Sequence, residues 1–441
     1  MPNLTEGDSP DQAPRNFWVM VGYQVALRTG WIFKTESVVM PSFLDYLAAL
    51  AHFGDVGWMR GLLPIFNRLG QSIPPMVSSH WLSQQPYKKS VVATTTLIMA
   101  CCFLTLAAPT GMMTRWSWIS VNLMPILFVV TYAVFFSVFG INQLAQNTLQ
   151  GKVIPVRRRG ALMSWSSLVG VAFAVTAAAL LLPRWLQTGS VAFEKIFGVT
   201  GTAFLIAGLL TLAFRESPDT PSQTITWRRS LKRSLGSSFW VLWHCPRFRS
   251  FGLVAAAFGM NMVLFPHYQA LFRSQMETGL TWLMPWLAAQ NLGAAFFSAI
   301  AGKVADRIGN GLALRALLLL QITIPMISLG CAALGSQWPW FTVLVFFVLG
   351  STPVTFRVFS NFTLELVDRP QHTQYLSALA ICLSVPPMLL SVPMGMLVDR
   401  LGFPTVFGTV SGIGILGFLL MLSVPDPRHQ AFPDQSDQAA S

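Results

Sequence analysis

Charged residues are scarce in this sequence, where they make up 10% of 441 residues, whereas hydrophobic residues make up 53%. Soluble domains contain about 25% charged residues, so this composition excludes a water-soluble globular protein. The mean hydropathy of +0.55 leads to the same conclusion. We therefore predict a membrane protein whose chain crosses the bilayer several times.

Cysteine is also rare, and the sequence contains no familiar motif for metal binding, nucleotide binding or catalysis. The five cysteines lie in apolar runs or, for Cys245, beside a basic loop, so their spacing fits neither a disulfide framework nor a metal site. No glycine-rich nucleotide-binding loop and no His-Glu-x-x-His motif occurs, which argues against direct use of ATP and against a membrane-embedded metalloenzyme. We expect no catalytic residue, no metal and no cofactor.

Apolar stretches long enough to cross a hydrocarbon core of about 30 Å fall into two sets of six. They are 18–46, 58–79, 90–108, 121–144, 161–182 and 197–214, then 251–272, 283–301, 316–334, 338–359, 375–398 and 403–424. The first two are unusually polar. This pattern predicts an all-α membrane protein with twelve transmembrane helices in two six-helix bundles, 17–214 and 251–424. The remaining segments are an N-terminal tail (1–16), a linker (215–250) and a C-terminal tail (425–441). The N-terminal tail lacks the basic region of a cleaved signal peptide, so the first apolar stretch is expected to remain as a helix.

The linker is rich in basic residues and has an apolar residue at every fourth position. The apolar residues are Trp227, Leu231, Leu235, Phe239 and Trp243, and the basic residues fall mostly elsewhere. This pattern predicts a helix on the membrane surface, with its cations on anionic lipid headgroups. A passive linker helix is the alternative.

Most of the 29 basic residues lie in alternate loops, which sets the orientation of the chain. An excess of Lys and Arg marks the cytoplasmic side, so we expect both termini in the cytoplasm and the protein in a plasma or bacterial inner membrane. Much of the net charge of +12 is thereby a topology signal. Nucleic acid is not needed as a partner to explain it.

A short polar segment separates the eighth and ninth apolar stretches. Gly302 and Gly309 allow tight turns there, while Asp306 and Arg307 place both charge signs in one loop. Together with Ala305, these residues resemble the loop signature of the major facilitator superfamily, with Asn310 in place of the usual basic residue. The equivalent loop in the first half, 80–89, lacks the aspartate and arginine. A further string, 395–402, contains the same kinds of residue and is interpreted as the turn at a helix end.

Two weak repeats support a duplicated arrangement. Residues 193–198 match 403–408 at an offset of 210, and the surroundings of Asn147 match those of Asn361 at an offset of 214. Duplicated halves are typical of transporters. The resemblance implies a monomeric secondary transporter of a small molecule, in which two bundles rock about a central site. It also implies that Asp306 holds a cytoplasmic gate by facing the N-terminal end of the helix that begins near Tyr375. A transporter-like sensor or scaffold that moves no solute is the alternative.

Polar residues inside the apolar stretches are the candidate substrate and coupling residues, because such residues are costly in a bilayer and are usually paired or functional. They are Arg28, Lys34, Glu36, Arg68, Asn142, Gln146, Asn261, His267, Gln290, Asn291 and Arg357. His267 is a candidate for a coupled proton, and a hydrogen-bonded histidine without that role is the alternative. Asn142 and Gln146 fit substrate contact or a hydrated helix end.

The charges of the first stretch lead to a further expectation. In one continuous helix, Lys34 and Glu36 point about 200° apart and cannot neutralise each other. Glu36 is then expected to pair with Arg68, as a structural salt bridge or a protonatable site. The excess positive charge of Arg28, Lys34 and Arg357 favours an anionic substrate, unless all of these charges are paired internally.

Overall fold

The computed structural model of the protein describes residues 12–112, 121–186, 191–219, 236, 238–276, 279–335, 338–367 and 371–426. These residues are almost entirely helical. The first half contains α1 (Gln12–Phe33), α2 (Val39–Leu50), α3 (Gly57–Gln84), α4 (Lys88–Met112), α5 (Met124–Val153), α6 (Val156–Leu186) and α7 (Val191–Thr211). The second half contains α8 (Pro246–Gly259), α9 (Asn261–Gln275), α10 (Leu283–Arg307), α11 (Asn310–Ala333), α12 (Trp340–Leu349), α13 (Thr352–Glu365), α14 (His372–Leu401) and α15 (Phe403–Ser423).

Twelve spans result when three interrupted pairs of helices, α1 with α2, α8 with α9 and α12 with α13, are each counted once. Nine of the spans in the described part of the chain are long and apolar enough to cross a membrane by length and composition alone. The other three are α1 with α2, α3 and α6. The first two of these are the stretches that the sequence marks as unusually polar. The twelve-helix fold in two bundles is therefore confirmed.

The prediction of one continuous helix over 18–46 is wrong. Helix α1 ends at Phe33, and α2 begins at Val39. The Thr35 carbonyl accepts hydrogen bonds from the N–H groups of Val39 (2.9 Å) and Met40 (3.2 Å), which starts the second helix. Residues 34–38 thus form a break inside the span, and the angle of 200° between Lys34 and Glu36 does not apply.

The other two breaks occur where small residues interrupt an apolar run. One follows Gly259, and the other lies at Gly350 and Ser351, immediately before a Thr-Pro pair. Glycine and Ser-Thr-Pro sequences both disfavour a continuing helix. A break in the membrane is tolerated where protein surrounds it.

Buried aromatic rings form the core of each half, and the two halves use them at equivalent places. Phe197, near the start of α7, and Phe407, near the start of α15, are 210 residues apart and both fully buried. Phe103 and Phe204 pack edge to face in the first half, with ring centroids 5.7 Å apart. The sequence repeat between 193–198 and 403–408 therefore lies at equivalent positions in the two bundles, the starts of α7 and α15.

In each half, an acidic residue that follows the last span contacts the start of the third span. Both contacts lie at the end of the molecule that carries the termini. In the first half, the buried Glu216 carboxylate accepts hydrogen bonds from the backbone N–H groups of Lys88 and Lys89, both at 2.9 Å, at the start of α4. Lys152 donates to the same carboxylate at 2.9 Å. A carboxylate at a helix N-terminus is favourable because it meets the unpaired N–H groups and the positive end of the helix dipole.

Asp219 extends this cluster. Partial burial alone would raise the pKa of Asp219, but the hydrogen bond and charge of Lys152, together with the charge of Lys88, outweigh burial and hold that pKa below its usual value. The Lys152 ammonium lies 2.7 Å from the Asp219 carboxylate.

The second half has an equivalent arrangement at the start of α11. A Cβ atom on Gly311 would lie 2.2 Å from a carboxylate oxygen of Asp426, so this acid occupies the space at the helix start. Arg315 donates a hydrogen bond of 3.0 Å to the carbonyl of Val424. Glu216 and Asp426 are 210 residues apart, the same offset as the repeat.

The predicted surface helix of the linker lies largely outside the described residues. Its last part, 238–244, is helical and leads into α8. Helix α1 begins at Gln12, five residues before the predicted boundary of the first bundle.

Candidate functional site at the interface of the two halves

The two halves meet closely at the end of the molecule opposite the termini, where α3 begins and α14 ends. The Asp399 carboxylate accepts hydrogen bonds from the backbone N–H of Gly57 at 2.8 and 3.1 Å, and a further one comes from the N–H of Trp58. These N–H groups are at the N-terminus of α3, so an acid of the second half caps a helix of the first.

Glycines allow the backbones of α3 and α14 to approach each other at the same place. A Cβ atom on Gly395 would lie 2.0 Å from the Gly57 carbonyl oxygen, and one on Gly61 would lie 2.4 Å from the Ser391 carbonyl oxygen. No side chain fits in these gaps. The string 395–402, interpreted from the sequence as a helix-end turn, is therefore also an interface between the halves.

A second group of contacts joins α2 and α3 to α9. Asp45 accepts hydrogen bonds from Arg60 (2.7 Å) and from Gln269 (2.8 Å). Gln269 in turn accepts a hydrogen bond of 2.8 Å from Ser42. Both carboxylate oxygens of Asp45 are thus used, and the charge of Arg60 is balanced.

Lys34 and Glu36 lie at the break between α1 and α2 and form an ion pair with each other. Tyr132 donates its hydroxyl hydrogen to the second oxygen of Glu36. The expected pair of Glu36 with Arg68 is therefore wrong, as is the expectation that Lys34 and Glu36 cannot neutralise each other. The reason is the break itself, which frees the two side chains from helical spacing.

The Lys34 ammonium is completely buried and lies in an aromatic box. It is 3.9 Å from the ring centroid of Trp31, 4.4 Å from that of Phe135 and 4.5 Å from that of Phe136. Cation–π contacts and the ion pair together replace the water that the ammonium loses. Lys34 is thereby a structural charge in this conformation and is removed from the candidate anion site.

A small cavity of about 20 Å³ adjoins Glu36, between the break and the proline-containing helix α9. Glu36, Asn67 and Tyr132 line it from the first half, and Met262 and Pro266 from the second. Pro266 has no N–H to donate to the Met262 carbonyl, which leaves that carbonyl without its helical partner. The cavity has room and polar partners for one water molecule.

Gln290, in α10, also contacts this region. It accepts a hydrogen bond of 2.6 Å from Ser37, which lies in the break. Asn67 accepts one of 2.6 Å from Gln71. Polar groups from both halves thus converge on the break.

Three arginines from three different spans lie near the interface of the halves. The Arg68 guanidinium lies 4.4 Å from the ring centroid of Phe356, across the interface, and its buried Nε has no hydrogen-bond partner among the described residues. Arg357, the next residue, is exposed and close enough to Arg28 for the two charges to repel each other. Arg68 is eleven residues from the start of α3, about 16 Å along the helix and thus near the middle of the bilayer.

The remaining candidates are more dispersed. Asn142 is fully buried inside the first half, where it donates to Thr95 (2.9 Å) and Thr96 (2.8 Å) and accepts from Tyr23 (3.1 Å). Every polar atom of its amide is thus used within the bundle, which suits a structural role. Gln146, one turn further along α5, is half-buried.

Asn261, His267 and Asn291 lie in the second half. Asn261 is buried at the first residue of α9, and Asn291 donates a hydrogen bond of 2.9 Å to the Leu287 carbonyl of its own helix. His267 is fully buried near Arg60, and neither of its ring nitrogens has a partner within the described ranges. The hydrogen-bonded histidine considered above is therefore not what the structure shows.

The loop motif occupies the end of α10 and the turn before α11. Gly309 has a φ of 144°, a conformation that favours glycine. Gly302, Asp306 and Arg307 are exposed, and Asp306 makes no hydrogen bond or ion pair with any residue the structure describes. Its predicted contact with the start of α14 is not formed in this conformation. The hydroxyl of Tyr375 lies instead 3.2 Å from the sulfur of Cys245.

Sequence reasoning missed Asp399, Gly57, Gln269 and Tyr132. For Asp399 a signal was present, because the string 395–402 repeats the composition of the loop motif. Gln269 also carried a signal, because it is a polar residue within the apolar stretch 251–272. Gly57 and Tyr132 occur in loop or apolar contexts that give none, and their partners are distant in the chain; Gly57 and Asp399 are 342 residues apart.

Comparison with known proteins identifies the fold. The sequence model described as Major Facilitator Superfamily matches residues 248–441, whereas no curated protein matches the chain. Among solved structures, the nucleoside transporter NupG superposes with a TM-score of 0.68 at 13% identity, covering 93% of this chain and 98% of NupG. The peptide transporter POT in complex with alafosfalin gives 0.66 at 12% identity, covering 95% and 99%. The inward-open xylose transporter XylE from E. coli gives 0.65 at 14% identity, covering 93% and 97%. At these identities the likeness is one of fold.

Proposed function

We propose that the chain is a secondary transporter of the major facilitator superfamily, because its fold and the sequence of its second half resemble that superfamily. It moves a small anionic solute by alternating access of a site between its two bundles. Two observations carry the anionic preference. Arg68 reaches the Phe356 ring across the interface, and its buried Nε has no partner among the described residues. Arg357, the residue after Phe356, lies close enough to Arg28 for their charges to repel each other. Like charges held together in the membrane are unfavourable until a ligand of opposite charge joins them.

The charge balance of the interface supports this proposal. Lys34 is neutralised by Glu36, and Arg60 is neutralised by Asp45. Arg68 and Arg357, which have no ion pair among the described residues, then provide the charge that the ligand meets. A carboxylate or phosphate suits them because a guanidinium can donate two parallel hydrogen bonds to either group.

The conformation fits one state of such a cycle. With both termini in the cytoplasm, as the distribution of cations predicts, the contacts of Asp399 and Gln269 close the outer end. The structure then represents a state that is closed to the outside. The exposed Arg357 and Asn361, one turn apart on α13, line the route to the site.

Glu36 is the better candidate for proton coupling than His267. Its side chain is 23% exposed, it adjoins the water-sized cavity, and protonation would release Lys34. His267 is fully buried at the closed end, and neither of its ring nitrogens has a partner among the described residues.

A binding assay followed by uptake tests the proposal. The melting temperature of the purified protein is measured with citrate, succinate and glycerol 3-phosphate, and with glycerol, xylose and choline as uncharged or cationic controls. We expect stabilisation by at least one anion, lost in Arg68→Gln and Arg357→Gln and kept in Arg184→Gln, which changes an exposed arginine at the far end of α6. The melting temperatures without ligand show whether each variant is folded.

Stabilisation by an uncharged or cationic compound that persists in Arg357→Gln would overturn the anion proposal. Uptake of the stabilising anion into proteoliposomes distinguishes a transporter from a sensor. Binding without uptake, under every applied ion gradient, would favour the sensor or scaffold instead.

A further inference from the structure

A groove of about 580 Å³ lies away from the interface of the halves, between the helical stretch 238–244 and α8, with α14 behind it. The side chains on the stretch that line it are Phe239, Trp240, Leu242, Trp243 and His244. On α8 they are Arg249, Leu253 and Ala256, beside Gly252, and on α14 the lining residue is Cys382. These residues are largely apolar and do not belong to the proposed solute site.

The groove has a polar mouth and an apolar interior. Arg249 and His244 are near the start of α8, at the end of the molecule that carries the termini, and both are exposed. Ala256 is seven residues further along α8, which places it about 10 Å deeper in the membrane. The groove therefore runs from the headgroup level into the hydrocarbon.

The apolar lining is presented to the membrane. The side chain of Trp243 is 81% exposed, Phe239 is 59% exposed and Leu253 is 57% exposed. Aromatic rings at this level are typical of the membrane–water boundary. The small size of Gly252 keeps the groove open, because a Cβ there would lie 3.0 Å from the Cys382 sulfur and 3.3 Å from Leu242.

We propose that this groove binds one acyl chain of an anionic phospholipid, whose phosphate lies against Arg249. Charge complementarity carries this choice of ligand: the mouth holds the exposed Arg249, and no acidic residue lines the groove within the described part of the chain. Basic pockets at the cytoplasmic ends of spans bind anionic headgroups. An apolar groove that opens to lipid accepts the acyl chain.

Native mass spectrometry of the full chain, titrated with phosphatidylglycerol or phosphatidylcholine in mixed micelles, tests the proposal. We expect tighter binding of phosphatidylglycerol, with the preference reduced about fivefold in Arg249→Gln, since each cation near a charged surface contributes about that factor. Arg184→Gln, at the other end of the molecule, is the matched control and should keep the preference. Ala256→Phe should fill the groove and weaken the binding of both lipids.

The reactivity of Cys382 with N-ethylmaleimide, followed by peptide mass mapping, gives a readout from within the groove. Phosphatidylglycerol should slow the reaction of Cys382 and leave that of the exposed Cys101 unchanged. Equal protection by both lipids, or protection that survives in Arg249→Gln, would overturn the proposal that Arg249 recognises an anionic headgroup. Protection without any added lipid would show that the linker covers the groove, and would overturn the lipid site.

Discussion

Replacement of Gly395 by alanine should open the end of the molecule that α3 and α14 close. The added Cβ would lie 2.0 Å from the Gly57 carbonyl oxygen and 2.6 Å from its carbonyl carbon. Both are backbone atoms, which cannot rotate away as a side chain would. The closed conformation is therefore destabilised, whereas a conformation in which α3 and α14 separate is not.

The size of the effect follows from the cost of overpacking, about 1–3 kcal/mol. Alanine also favours a helix over glycine by about 0.5–1 kcal/mol, but α14 is helical in either conformation, so this gain cancels. The equilibrium between closed and open outer ends should shift towards the open state by roughly 5- to 150-fold. Gly412→Ala is the matched control, because a Cβ at this helical glycine meets nothing within 4 Å.

Distances between spin labels measure the shift. In a background without the five native cysteines, labels on Gly54→Cys and Leu334→Cys report the outer end, and labels on Ser90→Cys and Lys303→Cys report the end with the termini. Gly395→Ala should lengthen the first distance and shorten the second, whereas Gly412→Ala should change neither. A folded Gly395→Ala protein with the original outer distance would refute the reasoning.

Three further changes test single contacts. Asp399→Asn keeps an oxygen but loses the charge at an exposed site, so it should weaken the closed state by about 1 kcal/mol, or about fivefold, in the same spin-label assay. Glu36→Gln leaves Lys34 buried without its ion pair and should lower stability by about 3–5 kcal/mol, and adding Lys34→Met should restore the melting temperature. Asp219→Asn should lower stability at pH 7 by about 0.5 kcal/mol. Because the folded pKa of Asp219 is depressed, its contribution is present above the unfolded pKa near 3.9 and is lost as the pH falls through the folded value. The difference in melting temperature should therefore vanish in acid.

Most of the spans could be predicted because length and hydropathy determine them, and the division into two sets of six follows from the polar linker. The breaks within spans are harder. Gly350, Ser351 and the Thr-Pro pair after them are helix-breaking residues that were available in the sequence. The break after Phe33 contains no proline or glycine, and Pro41 falls in the first turn of α2, where proline is tolerated. Lys34 and Glu36 can pair only because the helix ends before them, so their pairing could not be predicted from helical spacing.

The candidate site was predicted residue by residue but not as an arrangement. Arg28, Arg68 and Arg357 stood out because arginine is costly in a span. Their positions at the interface depend on how the two bundles pack, which no local pattern encodes. The same limit explains Asp399, whose partner is the backbone of Gly57 rather than a side chain of recognisable type.

The carboxylates of Glu216 and Asp426 have a consequence for biosynthesis. Each follows the last span of its own half and contacts the start of the third span, which is α4 in the first half and α11 in the second. The contacts of Glu216 therefore need nothing from residues beyond the linker. The first six spans can complete their packing while the second six are still being synthesised, as domains that fold as units during translation do. Membrane insertion of the second half then proceeds beside a partner that is already assembled.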